Sequence, residues 1–355
     1  MAIDWTKSME QTYEFYEVDP GTWKDKRRLT DIASCSISWD YNAETRGSAT
    51  VDTTEALGEC YIRVYMTPTQ NGIRYKIPLG VFLVQTPSEK FDGRVKSYSL
   101  DAYTPLIELK EVQPPLGFTT SKGVDIVKTA AGLCSEYLRA PVVTPSKDSK
   151  KLYDDFIANT DDTWLTYISD LLNQANYSYD LDEMGQIIFP PYQDTASLQP
   201  VWTYDDSNSS ILLSDISIQR DLYGIPNVVE VYYSSETGEN MYSKVVNDDK
   251  NSPISTVNRG RVILHRETSP SISGNPTQEM VDEYATQLLR SLSTLEYTVS
   301  YTHGYCPVRV GDCVRLNYTR AGLQNVKARV ITQSFKCETG CTVSETAVYT
   351  NKLWR

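Results

Sequence analysis

The sequence predicts a β-rich α+β protein: a small barrel or sandwich of strands, then an α+β block, then a second barrel-like set of strands split by a helical segment. Three observations carry that reading. Short runs with period-2 alternation crowd residues 1–110 and return after residue 205, whereas apolar residues fall at helical spacing in only three places. Tyrosine outnumbers phenylalanine 25 to 7, and tyrosine suits pleated, half-buried surfaces and interfaces. At 355 residues the chain exceeds one ordinary core, and its 40% hydrophobic and 23% charged composition is that of a globular protein.

The strands of the first part follow in order. Tyr13–Asp19 (YEFYEVD) is aromatic and β-branched. In SCSISWD, Cys35, Ile37 and Trp39 alternate with serines and Asp40. In CYIRVYM, Cys60, Ile62, Val64 and Met66 share one face, and Tyr61, Arg63 and Tyr65 the other. Asp92-Gly93 between two β-like runs is a hairpin signal. Several strands at this spacing without a helix suggest a barrel or sandwich.

The texture changes at Pro114-Pro115. Val124, Val127, Ala131, Cys134 and Leu138 recur at helical spacing, and Pro141 closes the segment. A second helix is predicted over 164–175, with Asn159, Thr160 or Asp161 as caps and Asp161 and Asp162 placed for the helix dipole. YSYDLDEMGQIIFPPY reads as a hairpin turning at Glu183-Met184-Gly185. Strands resume with ISIQR and PNVVEVYYS, and Thr237-Gly238 turns the chain into MYSKVV. The polar stretch 247–260 is expected as surface loop. Pro276 should open a third helix, its apolar side formed by Met280, Val281, Tyr284, Ala285, Leu288, Leu289 and Leu292. After Leu295 the chain reads as strand to its end.

Composition and motifs exclude several functions. A net charge of −12 lacks the basic footprint of tight nucleic-acid binding. No run approaches the ~20 apolar residues of a membrane span, and the N-terminus carries no signal pattern. Folding in the cytoplasm with reduced cysteines is therefore expected, with no membrane anchor. Cys306, Cys313, Cys337 and Cys341 are separated by six, 23 and three residues, and only the last pair has zinc-knuckle spacing. In CPVRVGDCVRLNY, Val308 and Val310 precede a Gly311-Asp312 bend where two strands would meet. Beyond it Cys313 shares parity with the polar Arg315, while Cys306 shares it with Val308, so these two thiols should not converge. Cys337 and Cys341 flank the turn Glu338-Thr339-Gly340, as two free thiols or as a cross-strand pair within reach of a disulfide.

His265 and His303 lie on separate segments with no nucleophile motif beside them. The acidic run from Asp180 resembles a calcium loop only superficially: Met184 and Pro191 stand at loop positions five and twelve, where acidic or amide ligands belong. No glycine-rich phosphate loop occurs. No catalytic, metal-binding or cofactor-binding residue is assigned, and no cofactor or enzymatic activity is expected.

Three segments, Tyr13–Asp19 followed by Trp23, Ile225–Val231 (IPNVVEV) and Pro307–Val314 (PVRVGDCV), together resemble the baseplate or tail-tip hub proteins of tailed bacteriophages. That group includes the hub portion of tail-associated lysins and is related to the hubs of type VI secretion spikes. The resemblance implies two small tail-tube-like β-barrels with an α/β domain between them and a helix-containing insertion in the second barrel. On this sequence they map to 1–110 for the first barrel, 111–204 for the α/β domain, 205–239 with 295–355 for the second barrel, and 240–294 for the insertion. It implies a homotrimer whose six barrels form a pseudo-sixfold ring, joining the tail tube or a distal tail protein to a central spike, fibre or tail-associated lysin. A tape measure protein would be a further partner, DNA would pass through the ring, and the protein would reside in the virion tail tip after assembly in the host cytoplasm. Because the sequence ends at Trp354-Arg355, a dedicated hub is expected in place of a lysin. The alternative from another class is a receptor- or carbohydrate-binding tail component, in which tyrosines stack on sugars; a cell-wall hydrolase ranks third.

Overall fold

The structure, a computed structural model, describes residues 3–145, 148–234, 240–268, 270 and 277–354. Its backbone divides into two compact units, Met1–Ile216 with Tyr301–Ala347, and Ser217–Ser300 with Val348–Arg355.

The first unit opens with β1 (Glu10–Val18), β2 (Asp25–Leu29), β3 (Ile32–Asp40), β4 (Gly47–Thr53), β5 (Tyr61–Gln70), β6 (Ile73–Arg74), β7 (Ile77–Phe91) and β8 (Lys96–Tyr103). Seven of these run β3-β4-β8-β7-β5-β1-β2, antiparallel throughout. The alternation expected in β5 is present: Ile62, Val64 and Met66 enter a core with Phe15, Ile37 and Leu100. Its other face is buried as well. Tyr61 packs there with Val18, Val81 and Leu83, and Arg63, 1% exposed, pairs with Asp25 at 2.7 Å. A buried guanidinium is tolerable only with such partners, and Arg63 also donates to the Trp23 carbonyl at 3.1 Å. Asp92 makes the expected hairpin turn, accepting from the Arg94 and Val95 amides at 2.8 and 2.9 Å.

A second core follows. The segment contains α1 (Ile107–Glu111), β9 (Thr119–Thr120), α2 (Ile126–Tyr137), β10 (Phe156–Ile157), α3 (Trp164–Asn173), β11 (Asp180–Leu181) and β12 (Ile187–Ile188). Asp125 caps α2 by accepting from the Lys128 amide. The cap of α3 is Thr163, not a residue of 159–161: Thr163 and Thr166 bond reciprocally, a capping box. Asp162 instead accepts from the Asn159 amide at 2.8 Å. Leu109, Val127, Cys134, Trp164, Ile168 and Leu172 fill this core.

The remaining elements are β13 (Trp202–Asp205), β14 (Leu212–Arg220), β15 (Val228–Ser234), β16 (Asn240–Val246), α4 (Thr256–Arg259), β17 (Leu264–Glu267), α5 (Gln278–Leu292), β18 (Thr294–Gly304), β19 (Cys313–Asn317), β20 (Val326–Lys336) and β21 (Thr342–Lys352). In the first unit β20 pairs antiparallel with β3, Phe335 opposite Ile37, and with β19. β19 runs parallel to β13. The strand path is open, and no pairing among the described residues closes it into a barrel. The protein is thus β-rich α+β. Residues 305–312 form an extended turn, so the strand expected at Val308–Val310 is absent and regular pairing starts at Cys313.

In the second unit β15 lies between β16, antiparallel, and β17, parallel. Helix α5 covers one sheet face, with Val281, Ala285 and Leu289 against Val229 and Val231. Its N-cap is Thr277; Pro276 and the Thr237-Gly238 turn lie outside the described residues. The stretch 247–260 is not a plain surface loop. Asn247, Ser252, Ile254 and Ser255 are buried and α4 sits within it. Its polar groups go inward because they satisfy one another: Asn247 donates to Ser252 Oγ at 2.9 Å. Asn227, fully buried, donates to the Ile254 and Arg261 carbonyls and accepts from the Ile263 amide at 2.7 Å. No helix among the described residues is long and apolar enough to cross a membrane.

Candidate functional site

The chemistry-bearing residues of the first unit converge beneath one cavity. Tyr301 and His303 point inward from β18, two residues apart as a strand requires. They meet Glu345 of β21, Gln333 of β20 and Tyr204 of β13, and all five are at most 7% exposed. His303 Nε2 lies 3.3 Å from Glu345 Oε2 and 3.1 Å from the Tyr204 hydroxyl, while Nδ1 donates to the Gly304 carbonyl at 2.7 Å. The Tyr301 hydroxyl and Gln333 Nε2 both donate to Glu345. Burial opposes a charge on His303. Hydrogen bonds to Cys306 and Glu345 and the Glu345 charge outweigh it, and the imidazole pKa is pushed up to about 10. Burial, then the Glu345 charge, raises Tyr204 and Tyr301 well above the ordinary phenol range.

Cys306 completes a thiol–imidazole–carboxylate trio, with Sγ 3.9 Å from His303 Nδ1. Nδ1 is committed to a carbonyl, and all three side chains are buried.

Above this network lies a cavity of about 210 Å³. Trp39 of β3, Leu79 of β7, Val308 and Val310 of the 305–312 turn and Phe335 of β20 make it apolar, and Gln333 joins it to Glu345. Its rim is acidic, with Asp180, Asp182 and Glu183, and Arg309 pairs with Glu183 at 3.0 Å. Burial raises the carboxyl pKa of Asp180 and Asp312. The wall depends on a bulge: Val64 faces Gly80 and Tyr65 faces Pro78, leaving Leu79 as the extra residue. Gly80 has φ +145°, and a Cβ there would meet the Trp39 and Phe82 rings at 2.8 Å, so only glycine fits.

The sequence-singled cysteines are all free. Cys306 lies in the network just described. Cys313 is buried, not on a polar face: consecutive Cys313 and Val314 are both buried, so β19 is covered on both faces at its start. Cys337 and Cys341 are both free thiols beside the turn. The Cys337 amide donates to the Cys35 carbonyl at 2.8 Å across the β3–β20 seam, and a hydrogen bond with the Cys35 thiol, then burial, raises the Cys337 pKa. Among the described residues no group of three or more His, Cys, Asp or Glu side chains could hold a metal ion. His265 lies on β17 beside Val229. Sequence reasoning missed Glu345, Gln333 and Tyr204. Only the shared parity of Val299, Tyr301 and His303 signalled an inward face.

No protein-family model matches the sequence, and no curated protein matches it. Solved structures do match. A tail protein from Neisseria meningitidis MC58 is 12% identical, with a TM-score of 0.61 over 95% of this chain and 97% of that one. A 43 kDa tail protein of prophage MuSo2 from Shewanella oneidensis is 11% identical, with a TM-score of 0.62 over 95% and 98%. A chain of the Francisella PdpA–VgrG complex is 8% identical, with a TM-score of 0.55 over 96% of this chain and 53% of that one. The fold of this chain is therefore that of phage tail proteins and is shared with a component of a VgrG complex.

Proposed function

We propose that this chain is a structural hub of a phage tail tip or baseplate. Three copies form a pseudo-sixfold ring that joins the tail tube, or a distal tail protein, to a central spike, fibre or lysin and lets DNA pass. The observation that carries this reading is end-to-end likeness: 95% of the chain aligns with nearly the whole of two tail proteins. Further support comes from three separate cores, around Ile37 and Val64, around Trp164, and around Val231 and Leu289. We assign a first barrel to 1–110, an α/β domain to 111–204, and an insertion at 240–294 within a second barrel at 205–239 and 295–355; the first core also takes in Phe335 and Val343, and the third joins Val231 of β15 to α5. The likeness to a chain of a VgrG complex supports a spike as one partner, with a tape measure protein as another. The protein would work in the virion after assembly in the host cytoplasm, without catalysis.

Light scattering together with averaged electron micrographs tests this. A trimer, alone or after mixing with the cognate tube protein, is expected. A persistent monomer that also forms no ring with tube protein sinks the reading, and reproducible hydrolysis of peptidoglycan would replace it with an enzymatic one.

A further inference from the structure

A second concavity of the first unit, about 410 Å³, falls within the ~300–1,000 Å³ range usual for small-ligand sites. Its composition is unusual for a protein cavity. Four tyrosines (Tyr41, Tyr177, Tyr179, Tyr192) and three asparagines (Asn42, Asn173, Asn176) line it with serines, Glu44 and Arg46, and no aliphatic side chain takes part.

The walls are fixed before any ligand arrives. Arg46 lies over the Tyr41 and Tyr179 rings at 5.1 and 4.6 Å. It donates to the Tyr41 carbonyl, to Ser178 Oγ at 2.9 Å and to the Tyr179 carbonyl at 3.2 Å. The Tyr179 hydroxyl donates to the Glu44 carbonyl at 3.0 Å. Tyr177 pairs with Pro191 in an antiparallel bridge, and the Tyr192 amide donates to the Asn176 carbonyl at 2.8 Å, so Tyr177 and Tyr192 stand on neighbouring backbones. Arg329 lies over Tyr192 at 5.6 Å, yet Tyr192 is 68% exposed.

The exposed ends of the charged groups are paired and the neutral groups are not. The two terminal guanidinium nitrogens of Arg46 are committed as above, its Nε is buried without a partner, and the Glu44 carboxylate is bound to Lys110 at 2.6 Å. The side-chain amides of Asn42, Asn173 and Asn176 and the hydroxyls of Tyr177 and Tyr192 have no hydrogen-bond partner among the described residues. A phosphate or an ammonium group would find no free counter-charge. A ring with one C–H face and a rim of hydroxyls would find an aromatic surface and paired donors and acceptors.

We infer that this cleft binds a neutral saccharide, with a pyranose ring against Tyr177 and Tyr192 and its hydroxyls held by Asn42, Asn173 and Asn176. The inference rests on the cleft alone and does not need the hub reading. Saturation-transfer NMR on the full chain with glucose, galactose, rhamnose and N-acetylglucosamine at millimolar concentration tests it. Transfer to at least one sugar is expected. Tyr192→Ala, at an exposed position, should weaken that sugar by about tenfold, the worth of one aromatic contact. Asn176 has φ +58°, so Asn176→Gly keeps the backbone while removing an amide and should weaken binding severalfold. Tyr232→Ala, in the other unit, should change nothing. Absence of transfer to all four sugars, or transfer undiminished in both cleft variants with native circular dichroism, overturns the inference.

Discussion

His303 sets a testable pH dependence. Its folded-state pKa of about 10 stands above the ordinary imidazole value of 6.5. The folded chain therefore holds this proton more tightly than the unfolded one. The resulting stabilisation is complete below pH 6.5 and is lost as pH rises through 10. The urea midpoint at constant ionic strength should fall across that window, and His303→Gln should flatten the part of the fall due to this residue. Identical pH profiles for the two proteins would remove His303 from the account. Gly80 gives a steric prediction. With φ at +145° and rings 2.8 Å from a built Cβ, Gly80→Ala should cost roughly 2–4 kcal/mol in chemical denaturation. Neither residue announces this in the sequence. Glycine in a β-like run fits many roles, and the carboxylate beside His303 comes 42 positions later, a separation that local patterning cannot bridge.

At the scale of elements, two side chains do more than their neighbours. Thr163→Ala removes the side-chain half of the α3 capping box, the bond from the Thr166 amide to Thr163 Oγ1, and should cost about 1 kcal/mol, with Thr163→Ser close to neutral. Asn227→Ala strands the buried Ile254 carbonyl and the part-buried Arg261 carbonyl and Ile263 amide and should cost roughly 2–4 kcal/mol, read as a lower urea midpoint. The apolar stripes that make α2, α3 and α5 were legible because one face of each must be buried. Alternation in β3 and β5 was legible for the same reason. The polar stretch 247–260 was misread since hydrophilic composition says nothing about whether polar groups have found each other. The cap at Thr163 was missed because the Asp and Asn residues before it are equally good cap formers. The motif IPNVVEV was visible as a pattern, but the reason for its asparagine emerged only with the carbonyls it holds.

For the whole molecule, charge bears on assembly. Each copy carries −12, and the proposed ring would gather three copies. Like charges repel over about 30 Å at 0.01 M salt but only about 8 Å at 0.15 M. Sedimentation should therefore show the proposed trimer gaining population as salt is raised, and the opposite trend would mean that ion pairs dominate its interface. The passage from strands to helices after β8 was readable because composition and periodicity change there. The cavity was not, since its walls come from β3, β7, β20 and the 305–312 turn, which are scattered along the chain.

The pairing of β3 with β20 also governs how the protein is made. Ile37 meets Phe335, about 300 residues downstream. At ~5–20 residues per second, β3 waits roughly 15–60 s on the ribosome before its partner exists. During that interval the edge of β3 bearing Cys35 and Ile37 is an open template for another nascent chain. Yield in a foreign host should thus depend less on final stability than on what shields that edge meanwhile: slower initiation, lower temperature or a bound chaperone.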